Sequence, residues 1–462
     1  MRGVDLRHCG MLFKLLTDAQ HCCTQRSMRG MVRVWDLLLY GGRVIDPASG
    51  RDETADLAVR AGRIAAIDTA LPRSRSARAV DVSGQLVLPG LVDMHTHVWH
   101  GATYWGLEPE ALAWRTGVTT WVDAGSAGAY AMEGFRRVIA DPAPFRVHAM
   151  INVSGLGLVG RTGEHHVLDN LDVDAATAVA AQQGDLVCGV KARIDRHTVG
   201  EHGLEPLRRA VELARRIEKP LMVHIGYGPP GLADIAPLLA EGDILTHCAT
   251  GAATDLVVDG RPTDALSRLR DNGVVFDLGH GSGAFDFDVL EAELAAGVVP
   301  IISTDLHIRS VYGPAFDMPT VMGKALAAGM GLSETVAAAT VRPAHALGLA
   351  AGTLEVGATA DIAVFSVEKG SFPTIDVHGG VRQAPLRLDN TATYASGRLL
   401  SPRAAEPPPV WVPLSDAQRR AEADRREQVR TSVRHLDRPE DFDEHFPRPE
   451  PAAGPKQQGA PR

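Results

Sequence analysis

The sequence predicts an α/β fold: a (β/α)8 TIM barrel with a small β-sandwich domain built from the N- and C-terminal flanking segments. The middle of the chain alternates apolar runs rich in Val and Ile with helical patterns, which is typical of parallel strands covered by helices. Eight such runs occur between residues 87 and 351, and eight βα units of this total length match one barrel. Short strand patterns punctuated by Gly and Pro lie on both sides of this region.

The barrel is favoured over a doubly wound parallel sheet. That alternative lacks support because no G-x-G-x-x-G motif follows the first strand. Helical patterns such as LEPLRRAVELARRI and DALSRLRDNG separate the strands. The predicted strands are LVLPGLVDMH, TTWVDAG, FRVHAMINVS, LVCGVKARI, PLMVHIG, DILTHCA, GVVFDLGHG and VVPIISTDLH.

The chain divides into five expected segments. The first is a disordered extension, or sequence ahead of a true start at Met28 or Met31. The last is a Pro-rich, charged and solvated tail in which SDAQRRAEADRREQVRTSV forms one polar helix. The two sandwich segments meet because exposed strands need partners. The boundaries are residues 1–33 for the extension, 34–86 for the N-terminal sandwich segment, 87–351 for the barrel, 352–401 for the C-terminal sandwich segment and 402–462 for the tail.

Composition narrows the class of protein. A formal net charge of −9 over 462 residues argues against nucleic acid as a partner. No apolar run reaches the roughly 18 residues of a transmembrane helix, so we expect no membrane association. The five cysteines are sparse and irregularly spaced, which favours a reducing compartment and a cytoplasmic location.

Ligand-type side chains stand at the ends of the predicted barrel strands. The carboxyl ends of barrel strands converge on one face, where active sites form. His95 and His97 alternate on one strand and therefore present two imidazoles to the same side. Each residue taken alone is more typical of a hydrogen-bonded core position, but the coincidence on several strands predicts a metal site. The candidate ligands are His95, His97, Lys191, His224, His247 and Asp305.

The ligand types indicate which cofactors to expect. Four His and one Asp favour zinc or a similar first-row metal over magnesium or calcium, which prefer oxygen. A protonated Lys191 has no lone pair to offer a metal. Burial would lower its pKa and expose the neutral amine, which can add carbon dioxide and become a carbamate able to bridge two ions. The sequence therefore predicts two divalent metal ions, with carbon dioxide incorporated as carboxylated Lys191.

The motifs that carry these residues resemble the amidohydrolase superfamily in its two-metal form with a carboxylated lysine. The resemblance rests on VDMHTHVWHG, GVKAR, MVHIG, LTHCATG and ISTDLH, and it extends over roughly residues 34–400. Within the superfamily, GVTTWVDAGSAG, DLGHGSGAF and FDMPTVMGKALAAGM look most like the dihydroorotase-like deacetylase group.

The resemblance implies a mechanism as well as a fold. A hydroxide bridging the two ions would attack a carbonyl carbon, and Asp305 would be the catalytic residue that moves the proton to the leaving group. The implied ligands are His95, His97 and Asp305 for the more buried ion, His224 and His247 for the second, and carboxylated Lys191 between them.

The expected function is hydrolysis of an amide or ester carbonyl, with deacetylation of a small N- or O-acyl acid as the favoured form. A cyclic amidase that opens rings, like dihydroorotase or hydantoinase, is an alternative. Dihydroorotase members carry Arg two residues after the second His, where this chain has Trp99. A deaminase would need an acid just after His224, and none is found in Ile225–Gly228. A metal-free structural relative without activity is the alternative from another class.

Four residues are candidates to contact the substrate, which we expect to be a small anionic molecule. Arg193 lies two residues after Lys191 on the same strand face and could grip a carboxylate. His100, Tyr104 and His280 lie in loops expected at the barrel mouth, where specificity is usually set. Each of the four could equally be structural, and a homo-oligomer is left open.

Overall fold

The computed structural model describes residues 34–252, 256–258 and 260–434. The predicted extension at residues 1–33 and the tail beyond residue 434 lie outside the described residues. The strands, in chain order, are β1 (Trp35–Asp46), β2 (Arg51–Arg60), β3 (Arg63–Asp68), β4 (Ser76–Asp81), β5 (Leu86–Pro89), β6 (Leu91–Thr96), β7 (Val118–Gly128), β8 (Arg146–Asn152), β9 (Val187–Ile194), β10 (Leu221–Ile225), β11 (Ile244–Thr246), β12 (Val257–Val258), β13 (Arg261–Pro262), β14 (Val275–Asp277), β15 (Ile362–Ile375), β16 (Val381–Ala395) and β17 (Arg398–Leu399). The described α-helices are Glu110–Thr116, Met132–Phe135, Val173–Gln182, Arg196–Val199, Glu205–Arg216, Leu232–Ile235, Asp264–Asp271, Phe287–Ala295, Met318–Ala327, Leu332–Ala338, Val341–Ala346 and Asp416–Arg434.

Seven parallel strands form the wall of the barrel in the order β6-β7-β8-β9-β10-β11-β14. An irregular eighth strand closes the ring through two parallel bridges. Ile301 pairs with Asp277 at the end of β14, and Leu306 pairs with Thr96 at the end of β6. The predicted (β/α)8 fold class is confirmed, and the sequence pattern VVPIISTDLH is the closing strand.

The strands are apolar because both of their faces are covered. Every residue of β7 is buried, as expected for a strand between the barrel interior and an outer helix layer. The helix Glu205–Arg216 buries Leu207, Ala210 and Leu213 and exposes charged residues on its other side. That three-residue spacing gives the helix one apolar stripe to place on the strands.

The first predicted strand is two strands in the structure. The pattern LVLPGLVDMH breaks at Gly90, which separates β5 in the flanking sheet from β6 in the barrel. A Cβ built on Gly90 would lie 2.0 Å from Thr119 Oγ1, and Thr119 is itself buried. Glycine therefore lets the chain pass closely over β7 as it enters the barrel, and the barrel begins a few residues later than expected.

The flanking segments join in one eight-stranded sheet. β5 holds them together, since it pairs in parallel with β1 on one side and antiparallel with β15 on the other. Side chains from both segments share a small apolar core, among them Leu57, Val87 and Ile362. Segments far apart in sequence thus bury each other's apolar faces, as single strands cannot do alone.

A separate apolar cluster has buried members from every barrel strand from β6 to β11. Met94, Val122, Met150, Met222 and Ile244 come from β6, β7, β8, β10 and β11, and all five are fully buried. Met222 lies two residues before His224, so the cluster forms the floor on which the ligand-type residues stand.

The helix Asp416–Arg434 corrects the expectation of a solvated tail for this segment of the chain. Arg425 donates hydrogen bonds to the carbonyl oxygens of Val311 and Phe316, and Val429 is buried. Hydrophobic patterning did not predict this docking because the helix is almost entirely polar. Among the described helices, none combines the length and the apolar character that crossing a bilayer requires.

We predict that Gly90→Ala lowers the free energy of unfolding by about 1–3 kcal/mol, the usual cost of overpacking a rigid buried contact. The added methyl group would overlap Thr119. Urea unfolding followed by circular dichroism measures the change.

Gly323→Ala is the matched control, because a Cβ there meets nothing within 4 Å and lies inside the helix Met318–Ala327. We expect this control to be neutral or to stabilise by up to about 1 kcal/mol through helix propensity. Equal stability of the two variants would contradict the close approach at Gly90.

Candidate metal centre

The barrel brings all six predicted ligand residues to the carboxyl ends of its strands. They reach this face from β6, β9, β10, β11 and the closing strand, so only the closed barrel brings them together. The residues are His95 in β6, His97 just beyond it, Lys191 in β9, His224 in β10, His247 directly after β11, and Asp305 in the closing strand.

The first cluster of ligand atoms surrounds the Asp305 carboxylate. Asp305 Oδ1 lies 3.2 Å from His97 Nε2 and 3.5 Å from His95 Nε2. Lys191 Nζ lies 3.0 Å from the same His95 Nε2 atom. The ligand atoms of His95, His247 and Asp305 all lie within 4.8 Å of one another, a spacing that could hold a metal ion.

The second cluster is a pair of imidazoles. His247 Nε2 and His224 Nδ1 face each other at 2.7 Å, and the two ring planes are nearly perpendicular at 84°. The ring of His247 also lies 5.1 Å from that of His95, measured between centroids. His247 therefore stands between the two clusters.

Hydrogen bonds behind His95 fix which ring nitrogen faces the centre. Its Nδ1 atom lies 2.8 Å from Thr246 Oγ1 and 3.2 Å from Asp277 Oδ2. Thr246 in turn donates its hydroxyl proton to Asp277 at 2.6 Å. With Nδ1–H bound to Asp277, the Nε2 lone pair is free to point into the centre.

His97 and His247 are held in the same way. His97 Nδ1 contacts Ser126 Oγ at 3.1 Å, and His247 Nδ1 donates to the carbonyl oxygen of Gly279 at 2.6 Å. The carbonyl oxygen of Gly279 requires a proton on His247 Nδ1 and so leaves the Nε2 lone pair of that ring for a ligand role. The contact with Ser126 orients His97 so that its Nε2 atom faces Asp305.

Two of the six residues adopt strained backbone conformations. His247 has φ +68° and Asp305 has φ +45°, values in the left-handed region that residues with a side chain seldom occupy. Such strain persists where surrounding structure enforces it and is commonest at functional sites. It turns these two side chains inward at the points where their strands end.

Burial sets the charge state of the centre. Desolvation lowers the pKa of His97 to about 3 and that of His247 to about 4. Desolvation also lowers the pKa of Lys191 to about 7, against the attraction of the Asp305 and Asp277 carboxylates. At neutral pH these imidazoles are uncharged and offer lone pairs, and a large fraction of Lys191 is the neutral amine.

The cluster opens into a cavity of about 510 Å³. All six candidate ligands line it, together with side chains that the sequence analysis did not single out. These additional lining residues include Trp105, Arg161, Asp195, His197, Tyr227 and His307.

Arg193 lines the cavity, but its charge is already paired. Its Nε and Nη2 atoms donate to the two carboxylate oxygens of Glu164 at 2.5 and 2.7 Å, and both side chains are buried. One edge of the guanidinium is thus committed within the protein. Its role as a carboxylate anchor stays a prediction, and Arg161 offers a second cation in the same cavity.

The other three candidate substrate residues do not reach the cavity, and their expected role is corrected. His100 is 3.4 Å from Glu108 Oε1 and half exposed. The ring of Tyr104 packs between those of Trp105 and Trp411. All three lie in loops that leave the barrel mouth, which the sequence could not orient.

His280 is fully buried, with its Nε2 atom 2.7 Å from Lys324 Nζ. Its neighbours in the loop matter more than its own side chain. The carbonyl of Gly279 binds His247, and a Cβ on Gly281 would lie 2.5 Å from Asp305 Oδ2. The glycines of the GHGSG pattern thus let the backbone approach His247 and Asp305 closely.

Comparison with known proteins places this site in a family. A model of the amidohydrolase family matches residues 86–392. The chain belongs to the amidohydrolase family. A deacetylase of Agrobacterium fabrum is 34% identical over 325 residues, which is 69% of this chain and 80% of that protein.

Two solved structures are similar over almost their whole length. One is titled an adenine deaminase, with 30% identity and a TM-score of 0.74, and covers 79% of this chain and 99% of its own. The other is titled a dihydroorotase, with 31% identity and a TM-score of 0.72, and covers 79% and 98%. The predicted resemblance is confirmed: this amidohydrolase is a hydrolase acting on C–N bonds, and enzymes of its family generally use divalent metals.

A buried acid behind His247 was missed by the sequence analysis. Glu293, on the helix Phe287–Ala295, is fully buried against the Cys248 thiol, and the ion pairs of the described part of the chain do not include it. Desolvation raises the pKa of Glu293 to about 8. No periodicity signals it, because an acid on a helix is normally exposed.

We predict that Glu293→Gln gains stability relative to the native amidohydrolase as the pH rises. Between its unfolded pKa near 4.5 and its folded pKa near 8, Glu293 is protonated when folded but ionised when unfolded. The unfolded chain then binds fewer protons, so native stability falls with rising pH. Gln removes this loss, and we expect a relative gain of about 1–3 kcal/mol from about pH 5 to pH 8.

Urea unfolding at several pH values measures this gain. Glu241→Gln is the control, since Glu241 is exposed and its neutralisation should change stability by less than about 0.5 kcal/mol. A pH-independent difference between native protein and Glu293→Gln would show that Glu293 is ionised in the folded state.

Proposed function

We propose that this amidohydrolase holds two divalent ions, zinc or a similar first-row metal, bridged by a carboxylated Lys191, and that it deacylates a small N- or O-acyl acid. One observation carries the proposal. The Lys191 amine is fully buried beside four imidazoles and one carboxylate that line the same cavity. A protonated amine at this position would repel any metal ion that the other residues bound.

The residues present fit two metal ions. Four neutral imidazoles and one carboxylate are the donor set of zinc-type sites. His247 Nε2 and His224 Nδ1 face each other at 2.7 Å. Desolvation favours the uncharged form of both rings, so these two nitrogens are suited to bind one ion together. Ions bound here would supply a water of lowered pKa and would polarise the substrate carbonyl.

Lys191 is placed to become a carbamate. Its neutral Nζ atom attacks the carbon of carbon dioxide, an N–C bond forms, and one N–H proton leaves to solvent. The product carries one negative charge and two oxygens, so a side chain that would repel cations when protonated becomes an anion that could hold them. Gly125 makes room beside it, since a Cβ there would lie 2.7 Å from Lys191 Cβ.

Asp305 is the group proposed to move the proton. Its carboxylate contacts His97 on one side and keeps 14% of its surface exposed toward the cavity. It can accept a proton at a carboxylate oxygen as the nucleophile adds, and it can deliver that proton to the leaving nitrogen or oxygen.

The cavity supports an anionic acyl substrate. Arg161 and Arg193 both line it, and Glu164 neutralises only Arg193. The salt bridges within the described residues do not include the Arg161 side chain, so its charge is available to a carboxylate. The deacetylase relative supports the acyl group, and we take the substrate to be a small molecule, not a polymer, because the cavity holds about 510 Å³.

Ring opening is the second candidate, supported by the structure titled a dihydroorotase. Against it, Trp99 stands where that activity would need a cation. Its ring packs edge-on against Phe135 at 5.7 Å and does not line the cavity. A metal-free relative is disfavoured because all six ligand-type residues converge.

We predict that purified protein carries close to two ions per chain and that Lys191→Ala removes most of them. Hydrolysis should fall by more than about 100-fold, since even a supporting partner of a metal ligand is worth 10–100-fold. Acetate or propionate at high concentration should restore some of the rate by filling the vacated position. Elemental analysis and steady-state kinetics measure both effects.

Lys369→Ala is the matched control because Lys369 is exposed on β15. Its metal content and rate should match those of the native enzyme. Native-like metal content and rate in Lys191→Ala would overturn the carbamate bridge.

We predict that N-acetyl amino acids of either hand or acetylated 2-hydroxy acids are hydrolysed faster than dihydroorotate or hydantoins. On the best of these acids, Arg161→Gln should lower kcat/KM by about 10–100-fold, as expected for the loss of one charge-assisted hydrogen bond. Arg161 is the sharper probe, because replacing Arg193 would strand the buried Glu164 carboxylate.

Arg208→Gln serves as the control, since Arg208 is exposed on the helix Glu205–Arg216. It should leave kcat/KM unchanged. Turnover of a cyclic amide with none on any acylated acid would replace the proposed substrate class and leave the metal centre intact.

A further inference from the structure

We propose that residues 404–432, here called the C-terminal clasp, position the catalytic Asp305 and one wall of the substrate cavity, with Arg425 and Trp411 as the positioning residues. The catalytic role of Asp305 rests on the function proposed above, whereas the clasp contacts are independent of it. The family model ends at residue 392, so the clasp lies outside the region of the chain that it matches.

Arg425 is the first contact of the clasp. Its guanidinium donates to the carbonyl oxygens of Val311 and Phe316 and lies 5.4 Å from the ring centroid of Tyr312. Burial lowers the pKa of Arg425 to about 10. The ion pairs of the described chain do not include Arg425. The cost of desolvating its guanidinium is therefore offset mainly by its hydrogen bonds and ring contact with the loop at residues 311–316. An apolar side chain would cover the same surface at a smaller desolvation cost.

The loop held by Arg425 is the one that carries Asp305. Val311 N donates to the carbonyl oxygen of His307 at 3.1 Å. Ser310 Oγ donates to the carbonyl oxygen of Asp305 at 2.9 Å and accepts from His307 N at 3.0 Å. Residues 305–311 are therefore one hydrogen-bonded turn, and a shift at Val311 is passed to the strained backbone of Asp305.

Trp411 is the second contact, and it reaches the cavity through stacked rings. Its centroid lies 5.0 Å from that of Tyr104, which lies 4.9 Å from Trp105. Trp105 lies 4.8 Å from the ring of His307. Both Trp105 and His307 line the cavity. The rings of Tyr104 and Trp105 therefore connect Trp411 of the clasp to the cavity wall.

A backbone contact explains why His100 sits outside the cavity. Glu406 N donates to Glu108 Oε2 at 3.0 Å, and Glu108 Oε1 lies 3.4 Å from His100 Nε2. The loop after β6 thus receives the start of the clasp. His100 and Tyr104 belong to this docking surface and not to the substrate cavity.

The test uses full-length protein with Arg425→Met, Arg425→Lys and Trp411→Ala. Hydrogen exchange followed by mass spectrometry reads the mobility of residues 305–316 without any substrate. We expect faster exchange there in Arg425→Met, with kcat lowered by about 10–100-fold, the effect of a displacement near 1 Å at the reacting groups. Arg425→Lys should recover some of both, since its ammonium can still donate to the carbonyls.

Trp411→Ala should instead raise KM more than it lowers kcat, because it loosens the cavity wall and not Asp305. Arg430→Met is the matched control: Arg430 lies on the same helix, is paired with Glu427 and is about half exposed. Exchange in residues 305–316 of Arg425→Met that equals that of Arg430→Met would overturn the clasp. The exchange result decides this even if no acylated acid is a substrate, so failure of the two proposals can be distinguished.

Discussion

The hydrogen-bonded register between parallel strands is the constraint on which this site depends. Lys191 pairs with Met222 across β9 and β10, and His224 pairs with Thr246 across β10 and β11. Because side chains alternate between the two faces of a strand, a slip of one residue in either pairing would turn a ligand out of the barrel interior. The apolar floor that contains Met222 penalises such a slip, because it would also expose a buried core residue.

Desolvation then determines the chemistry of what the register assembles. In water Lys191 would be an ammonium and most imidazoles would be part-charged near pH 6.5. Inside the barrel both are driven toward their neutral forms, and neutral nitrogen is what binds metals and carbon dioxide. The hydrogen bonds behind the rings, such as those of His95 Nδ1 with Thr246 and Asp277, select the nitrogen that faces inward. Burial without those bonds would give neutral rings of undefined orientation.

The walls of the cavity are positioned by different contacts from those that position the candidate ligands. The candidate ligands stand at strand ends, which the barrel places rigidly. Parts of the walls come from loops that follow those strands, and their side chains are held by partners that are remote in sequence. Trp105, for example, donates its Nε1 proton to the carbonyl oxygen of Arg161 and packs against the ring of His307. The same scaffold can therefore keep its candidate metal centre while the lining of its cavity changes with the loops.

The sequence by itself determined the barrel and the set of ligand types. Apolar runs with polar residues at their ends carry that information locally, and the carboxyl ends of parallel strands always meet at one face. Tertiary structure alone decided the roles of His100, Tyr104 and His280, because a loop's direction depends on the partners that it meets. It also decided that Gly90 divides one apolar run between two sheets, and that a polar helix near the C-terminus docks through Arg425. Hydrophobic patterning predicts burial from apolar residues, so the contacts made by the buried Glu293 and the partly buried Arg425 leave no signal in it.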